Sequence, residues 1–141
     1  MNREIKFRGK GIEEYDKNKW YSGSYFIYNA INYFCLDDGS RTKEINEKIK
    51  NNIKHKIIFE IQGDLNMENN IKLADVNPET VGQYTGLHDK SGKEIYENMI
   101  INNEYIVVYD FCKFALKNKN NGNIIDFERN KNYEITGEYL E

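Results

Sequence analysis

Two histidines and two cysteines are the residues readiest for chemistry in this chain. His88 stands beside Asp89, the pairing a general base needs when a carboxylate orients an imidazole. Neighbours in a turn seldom face each other in that way, so His88 reads as an exposed loop residue. His55 falls on the apolar face of a strand pattern, where a satisfied boundary histidine is expected rather than a ligand. Cys35 and Cys112 have no close metal-ligand spacing and no activating neighbour, and both are expected to be buried as small apolar residues. Gly82-Gln83-Tyr84-Thr85-Gly86 has glycines enough to cradle a phosphate, but such a loop presents its N–H groups at a helix start. Strand-like and turn-like residues follow instead, so these glycines serve a bend or a close backbone approach. The sequence thus offers no catalytic residue, no metal site and no cofactor site.

Binding chemistry is better represented. Lys43, Lys48, Lys50, Lys54 and Lys56, together with Tyr21, Tyr25 and Tyr28, could make a stacking and phosphate-binding surface. Glu44 and Glu47 dilute that charge, and a solvated helix face is the plainer reading of the lysines. Tyrosine-rich surfaces also suit protein interfaces, where the ring gives area and the hydroxyl a hydrogen bond. The candidate partner-binding residues are Tyr25, Tyr28, Tyr33, Lys48, Lys50 and Lys54.

The elements that must position them are mostly strands. Glu4 to Arg8 alternates Ile5 and Phe7 with Lys6 and Arg8, the period of a strand with one buried face. Gly9 and Gly11 loosen it, Asp16 to Lys19 turns, and Trp20 to Tyr28 returns as a second strand with a bulge or bend at Gly23. Ile31 to Leu36 predicts a strand closed by the Asp37-Asp38-Gly39-Ser40 turn. Ile45, Ile49 and Ile53 recur every fourth residue, which predicts a short helix over 42–53. His55 to Ile61 restores the strand period, 64–70 is a loop, and Ile71 and Leu73 open another strand. Asn77-Pro78-Glu79 turns, Thr80 to Tyr84 and Glu94 to Tyr96 flank the Asp89-Lys90-Ser91-Gly92 turn, and Tyr105 to Leu116 reads as one long strand buried on both faces. After a polar loop over 117–123, Tyr133 to Tyr139 closes the chain. The pattern predicts a mainly β fold with a minor helical part: a small barrel-like or sandwich β body with one short helix. Residues 1–76 make an N-terminal part with an insert, and 77–141 a small β-barrel part of the same body.

Composition agrees. Of 141 residues, 39% are apolar and 30% charged, which is too apolar for a disordered tail and ordinary for a globular chain. The 13% of aromatic residues, chiefly tyrosine and phenylalanine, favours sheets. A net charge of −3 gives little long-range attraction for nucleic acid or anionic membrane. No apolar run is long enough to span a bilayer, and the opening lacks the apolar stretch of a secretory signal, so a cytoplasmic protein is expected.

The stretch Asn77 to Ile101, NPETVGQYTGLHDKSGKEIYENMII, resembles the signature segment of the YopX family, a Gly-Gln-Tyr-Thr-Gly-Leu run leading into Asp-Lys-Ser-Gly-Lys and Ile-Tyr-Glu. Glu4 to Lys10 with Trp20 is similar to the family's opening, and Tyr133 to Tyr139 to its closing strand. Ile31 to Asn70 matches no part of the pattern. Where the family has Gly-Asp-Ile after that Glu, this chain has Asn98-Met99-Ile100; asparagine also enters the left-handed region, so the turn is expected to survive. The resemblance implies a phage or prophage origin and a β-rich fold, and brings no catalytic residues. The resulting expectation is a non-enzymatic accessory protein of the host bacterial cytoplasm that binds and inhibits a host protein, such as a component of a defence system. A nucleic-acid-binding small β-barrel is the alternative, and a hydrolase assembled from distant residues the third reading. The variable residues 32–70 are the expected partner surface, and pairing of exposed sheet edges makes a homo-oligomer the expected assembly.

Overall fold

A computed structural model of the chain describes residues 4–17, 19–29, 47, 51–61, 70–128 and 131–139. Only the end of the alternation expected over Glu4 to Arg8 is a strand: β1 (Phe7–Lys10) starts after Ile5, which is exposed, and buries Arg8, expected on the opposite face; it pairs antiparallel with β2 (Trp20–Asn29). The strand does not stop at Gly9 as its sequence suggests: Gly9 pairs with Tyr21 and Lys10 with Trp20. Between them the chain turns at Asp16, a buried residue whose Oδ2 accepts a hydrogen bond from the Tyr21 hydroxyl at 2.9 Å. β2 changes partners midway, its first residues lying against β1 and Ser24 to Asn29 against β3 (Ile53–Ile61). Gly23 stands at that hand-over. No residue is inserted there; a Cβ on Gly23 would lie 1.9 Å from the Ile58 carbonyl oxygen, so the glycine permits a close backbone approach.

β4 (Asn70–Asp75) adds to β3, while β5 (Gly82–His88) lies on the other side of β1 and carries β6 (Glu94–Tyr96). The first sheet therefore has the order β4-β3-β2-β1-β5-β6. A 3-10 turn, Pro78–Thr80, connects β4 to β5; Asn77 caps it and the Thr80 hydroxyl accepts from the Lys10 backbone N–H at 2.8 Å. The expected turn at Asp89 is present. The Asp89 carboxylate accepts from the Ser91 hydroxyl and N–H and from the Lys93 N–H, and Gly92 takes φ 86°. These bonds, that from the Ser91 hydroxyl first, hold the Asp89 carboxyl down to about 2 from an ordinary 3.8. Because the folded value is the lower one, the turn's contribution is full above about pH 4 and is lost as pH falls toward 2. A carboxyl NMR titration should place the Asp89 midpoint near 2, and a midpoint near 4 would show that the turn is open.

The second sheet, in the order β10-β9-β8-β7-β11, comprises β7 (Met99–Ile101), β8 (Tyr105–Asp110), β9 (Lys113–Asn118), β10 (Ile124–Asp126) and β11 (Ile135–Glu138). Asn98 enters it at φ 66°, so the turn after Ile-Tyr-Glu survives the loss of glycine. The single long strand expected over 105–116 is instead a hairpin. Its two turn residues are Phe111 and Cys112, at φ 44° and 61°, the left-handed pair of a tight hairpin usually filled by Asn-Gly. With neither residue there, the turn leaves no mark in the sequence. Phe111 and Tyr109, expected in the core, are 89% and 52% exposed, and Cys112, expected to be buried, is exposed at the turn. Replacing Phe111-Cys112 by Asn-Gly should relieve this backbone strain and raise stability by about 1 kcal/mol or more. Equilibrium urea unfolding measures it; an unchanged midpoint would show that the turn is not strained.

Neither sheet closes on itself, so of the two expected shapes the barrel is not formed. The sheets share a core of Tyr84, Ile95 and Tyr96 from the first and Met99, Ile101, Val107, Leu116 and Tyr133 from the second sheet's side. A smaller cluster of Tyr21, Ile57, Ala74 and Val76 lies under the first sheet alone. Ile71 and Leu73 form a strand as expected, but Ala74 and Val76 are the residues that are buried. The strand expected over 31–36 lies outside the described residues, as does the loop expected over 64–70 except for Asn70, which already opens β4. Most of the expected helix over 42–53 lies outside them too: Glu47 and Asn51 are helical, and Ile53 already opens β3.

Candidate partner-binding face

Side chains alternate between the two faces of a strand, so the registers of β2, β3 and β4 sort their residues into two sets. Tyr25 lies opposite Ile57, which lies opposite Ala74, and this face is the one closed by the smaller cluster. The opposite face carries Phe26, Tyr28, Lys54, Lys56, Ile58, Glu60, Ile71, Leu73 and Asp75. Ser24, Ile58 and Leu73 form one row across it, and Phe26, Lys56 and Asp75 the next. The Phe26 and Tyr28 rings stack with centroids 5.7 Å apart.

Apolar surface is left open on this second face. Ile71 is 72% exposed, Leu73 54% and Tyr28 40%, with Ile58 and Phe26 half-buried between them. Large neighbouring apolar side chains left in water mark interaction surfaces. The charges around them balance. Lys56 donates to Asp75 at 2.7 Å, and that hydrogen bond raises the Lys56 pKa above its usual value against the opposing effect of burial. Lys54 and Glu60 stand at the margins, so two lysines face two acids.

Of the residues singled out from sequence, Tyr28 and Lys54 are brought together, directly opposite each other on this face. Tyr25 is not with them. It points to the closed side, where its hydroxyl meets His55 Nδ1 and its ring packs 5.6 Å from Phe7. Tyr33, Lys48 and Lys50 lie outside the described residues. Ile58, Ile71, Leu73 and Phe26 were not singled out, because an apolar residue in an alternating run reads as core.

A second polar cluster lies at the junction of the sheets. Arg8, buried in β1, donates both terminal nitrogens to the Glu138 carboxylate of β11, one bond measuring 2.8 Å. Its guanidinium lies 4.2 Å from the Trp20 ring centroid and 5.1 Å from that of Tyr96. Beside it Glu94 accepts from Lys6 and, at 2.7 Å, from the Tyr96 hydroxyl. Burial first, and then that hydrogen bond, push the Tyr96 pKa far up. Each charge here is answered by another, which makes the cluster a strut between the sheets. His88 is exposed and meets the Tyr84 hydroxyl at 3.4 Å, while the Asp89 carboxylate is turned to Ser91 and Lys93. Gly82 to Gly86 lie within β5, with no helix start to hold a phosphate.

Among the described residues no group of three or more His, Cys, Asp and Glu is placed to hold a metal ion, and no helix is long and apolar enough to cross a membrane. The architecture is thus that of a mainly β protein with two open antiparallel sheets and, among the described residues, an exposed apolar face. A family model described as YopX protein matches residues 15–140, and the chain belongs to the YopX family. β1, similar to the family's opening in sequence, lies ahead of that span and yet sits inside the first sheet. No curated protein and no solved structure matches the chain.

Proposed function

We propose that this chain is a non-enzymatic phage or prophage accessory protein that works by binding a protein of the host bacterial cytoplasm, and so inhibits it. A component of a defence system is the kind of target this reading favours. The observation that supports it most is the open face of β2, β3 and β4: stacked aromatic rings and exposed aliphatic side chains ringed by balanced charge. An apolar centre with a polar rim is the usual make-up of a protein interface. Nucleic acid would need uncompensated lysines to displace counterions, and on this face Lys56 is already engaged by Asp75. The Phe26 and Tyr28 rings with Lys54 are what remain to support the nucleic-acid alternative.

Two experiments separate the readings. Affinity capture from host lysate should retain a specific protein with the wild-type chain and lose it with Phe26→Ala/Tyr28→Ala, whose circular dichroism spectrum should show that it stays folded. Titration with single- and double-stranded oligonucleotides at low salt should show no binding that weakens as salt rises. Salt-dependent oligonucleotide binding, or turnover of a substrate by the pure protein, would overturn the proposal.

A further inference from the structure

We propose that two copies of this chain associate edge to edge through β4, joining their first sheets into one continuous antiparallel sheet across a two-fold axis at Lys72. The edge itself carries the argument. β4 is the six-residue end strand of the first sheet, whereas the other end strands, β6, β10 and β11, have three, three and four residues. The Val76 N–H bonds to the His55 carbonyl at 2.9 Å, which fixes the phase of the β3–β4 ladder. In an antiparallel pair, bonded and non-bonded positions alternate. Asn70, Lys72 and Ala74 therefore bond inward to β3, while Ile71, Leu73 and Asp75 turn their N–H and C=O groups outward. The Ile12 N–H confirms the phase by donating to the outward Asp75 carbonyl at 3.2 Å. Ile71 and Leu73 are left with outward groups that have no backbone partner among the described residues, and their side chains are 72% and 54% exposed.

Among the described residues, one register serves the outward groups of Ile71 and Leu73 together. A two-fold axis normal to the sheet keeps the same face uppermost in both copies, so residues facing each other across it share parity. Centring it on Lys72 sets Ile71 against Leu73 of the second copy, and Leu73 against Ile71, each pair exchanging both backbone bonds. Centring it on Leu73 would call on Asp75, whose carbonyl is already taken by Ile12. The chosen register also brings the exposed aliphatic side chains into cross-strand contact, the unit of sheet stabilisation. The two Lys72 side chains meet across the axis on the other face. Like charges directly opposite are unfavourable, and Glu13, Asp16 and Lys19 line a recess together with Lys72. A protein edge strand with no proline and exposed apolar side chains is the kind that recruits another strand. The association does not depend on what the open face binds, although it doubles that face.

The register gives a sharp test. In a Cys35→Ser/Cys112→Ser background, Lys72→Cys should form a disulfide-linked dimer on mild oxidation. The residues facing each other at a non-bonded position have Cα atoms about 4.5 Å apart, within the range a disulfide spans. Leu73→Cys in the same background should not cross-link, because residue 73 faces 71. Sedimentation of the wild-type chain should give twice the chain mass, and Leu73→Lys should give the monomer with its circular dichroism spectrum retained. A wild-type monomer at every concentration, a dimer indifferent to Leu73→Lys, or cross-linking through residue 73 in place of 72 would each overturn the proposal. If host-protein capture fails while the dimer forms, the failure belongs to the proposed function alone.

Discussion

Replacing Arg8 with alanine should lower the free energy of unfolding by about 3 kcal/mol, the low end of the cost of breaking a buried ion pair. The Arg8 side chain is 8% exposed and Glu138 30%, so solvent screens the pair little on the arginine side. The change removes a forked contact between β1 and β11, and with it the cation held against Trp20 and Tyr96. Glu138 is then left partly buried without its partner. For a chain of this size the loss corresponds to a fall of roughly 10 °C in thermal midpoint. Arg8→Lys should recover little, because an ammonium cannot reproduce the planar fork that meets both carboxylate oxygens. A double-mutant cycle with Glu138→Ala, followed by urea unfolding, isolates the pair. A loss below about 0.5 kcal/mol for Arg8→Ala, the range of ordinary surface changes, would mean that the strut does not hold the sheets together.

Gly23→Ala should be at least as damaging. The added Cβ meets the Ile58 carbonyl oxygen at 1.9 Å, and a backbone group cannot swing aside as a flexible side chain can. Relief requires β2 and β3 to part where β2 passes from one partner to the other, at the row that holds Ser24, Ile58 and Leu73. Losses above about 4 kcal/mol come from a short list of causes, and a forced backbone shift in a central strand belongs on it. The variant should express poorly or unfold well below the wild-type midpoint. Gly86→Ala makes the contrast: a Cβ there meets nothing within 4 Å, so only its φ of 86° is penalised. Equal stability of Gly23→Ala and wild type would show that β2 and β3 are not packed this closely.

The sequence was legible wherever local chemistry decides structure. Alternation marked β2 and β3, and Asp89 to Gly92 marked the turn between β5 and β6, because glycine and side-chain acceptors supply what a tight turn demands. It was not legible where tertiary context overrides propensity. Phe111-Cys112 makes a left-handed turn with no turn residue, so two strands merged into one. Ile71 and Leu73 mark a strand by period, but the period cannot say which face meets the core, and on an end strand the larger residues point outward.

The candidate site shows the same division. Tyr25 and Tyr28 are three residues apart, and in a strand an odd interval already sends two side chains to opposite faces. Their separation was therefore present in the sequence once β2 was recognised as a strand. That Tyr28 faces Lys54, and that Ile58 and Leu73 lie on the same face, depends on register between strands and could not be read locally. The Arg8–Glu138 pair, joining β1 to β11 across 130 positions, is legible only in three dimensions.

The most direct measurement of the central claim is calorimetric titration of the captured host protein with the wild-type chain and with Phe26→Ala/Tyr28→Ala. Truncating aromatic residues at the centre of an interface typically costs about 2 kcal/mol or more, so affinity should fall by roughly 30-fold. Equal affinity for the two chains, with both folded, would place recognition elsewhere on the molecule and contradict the account.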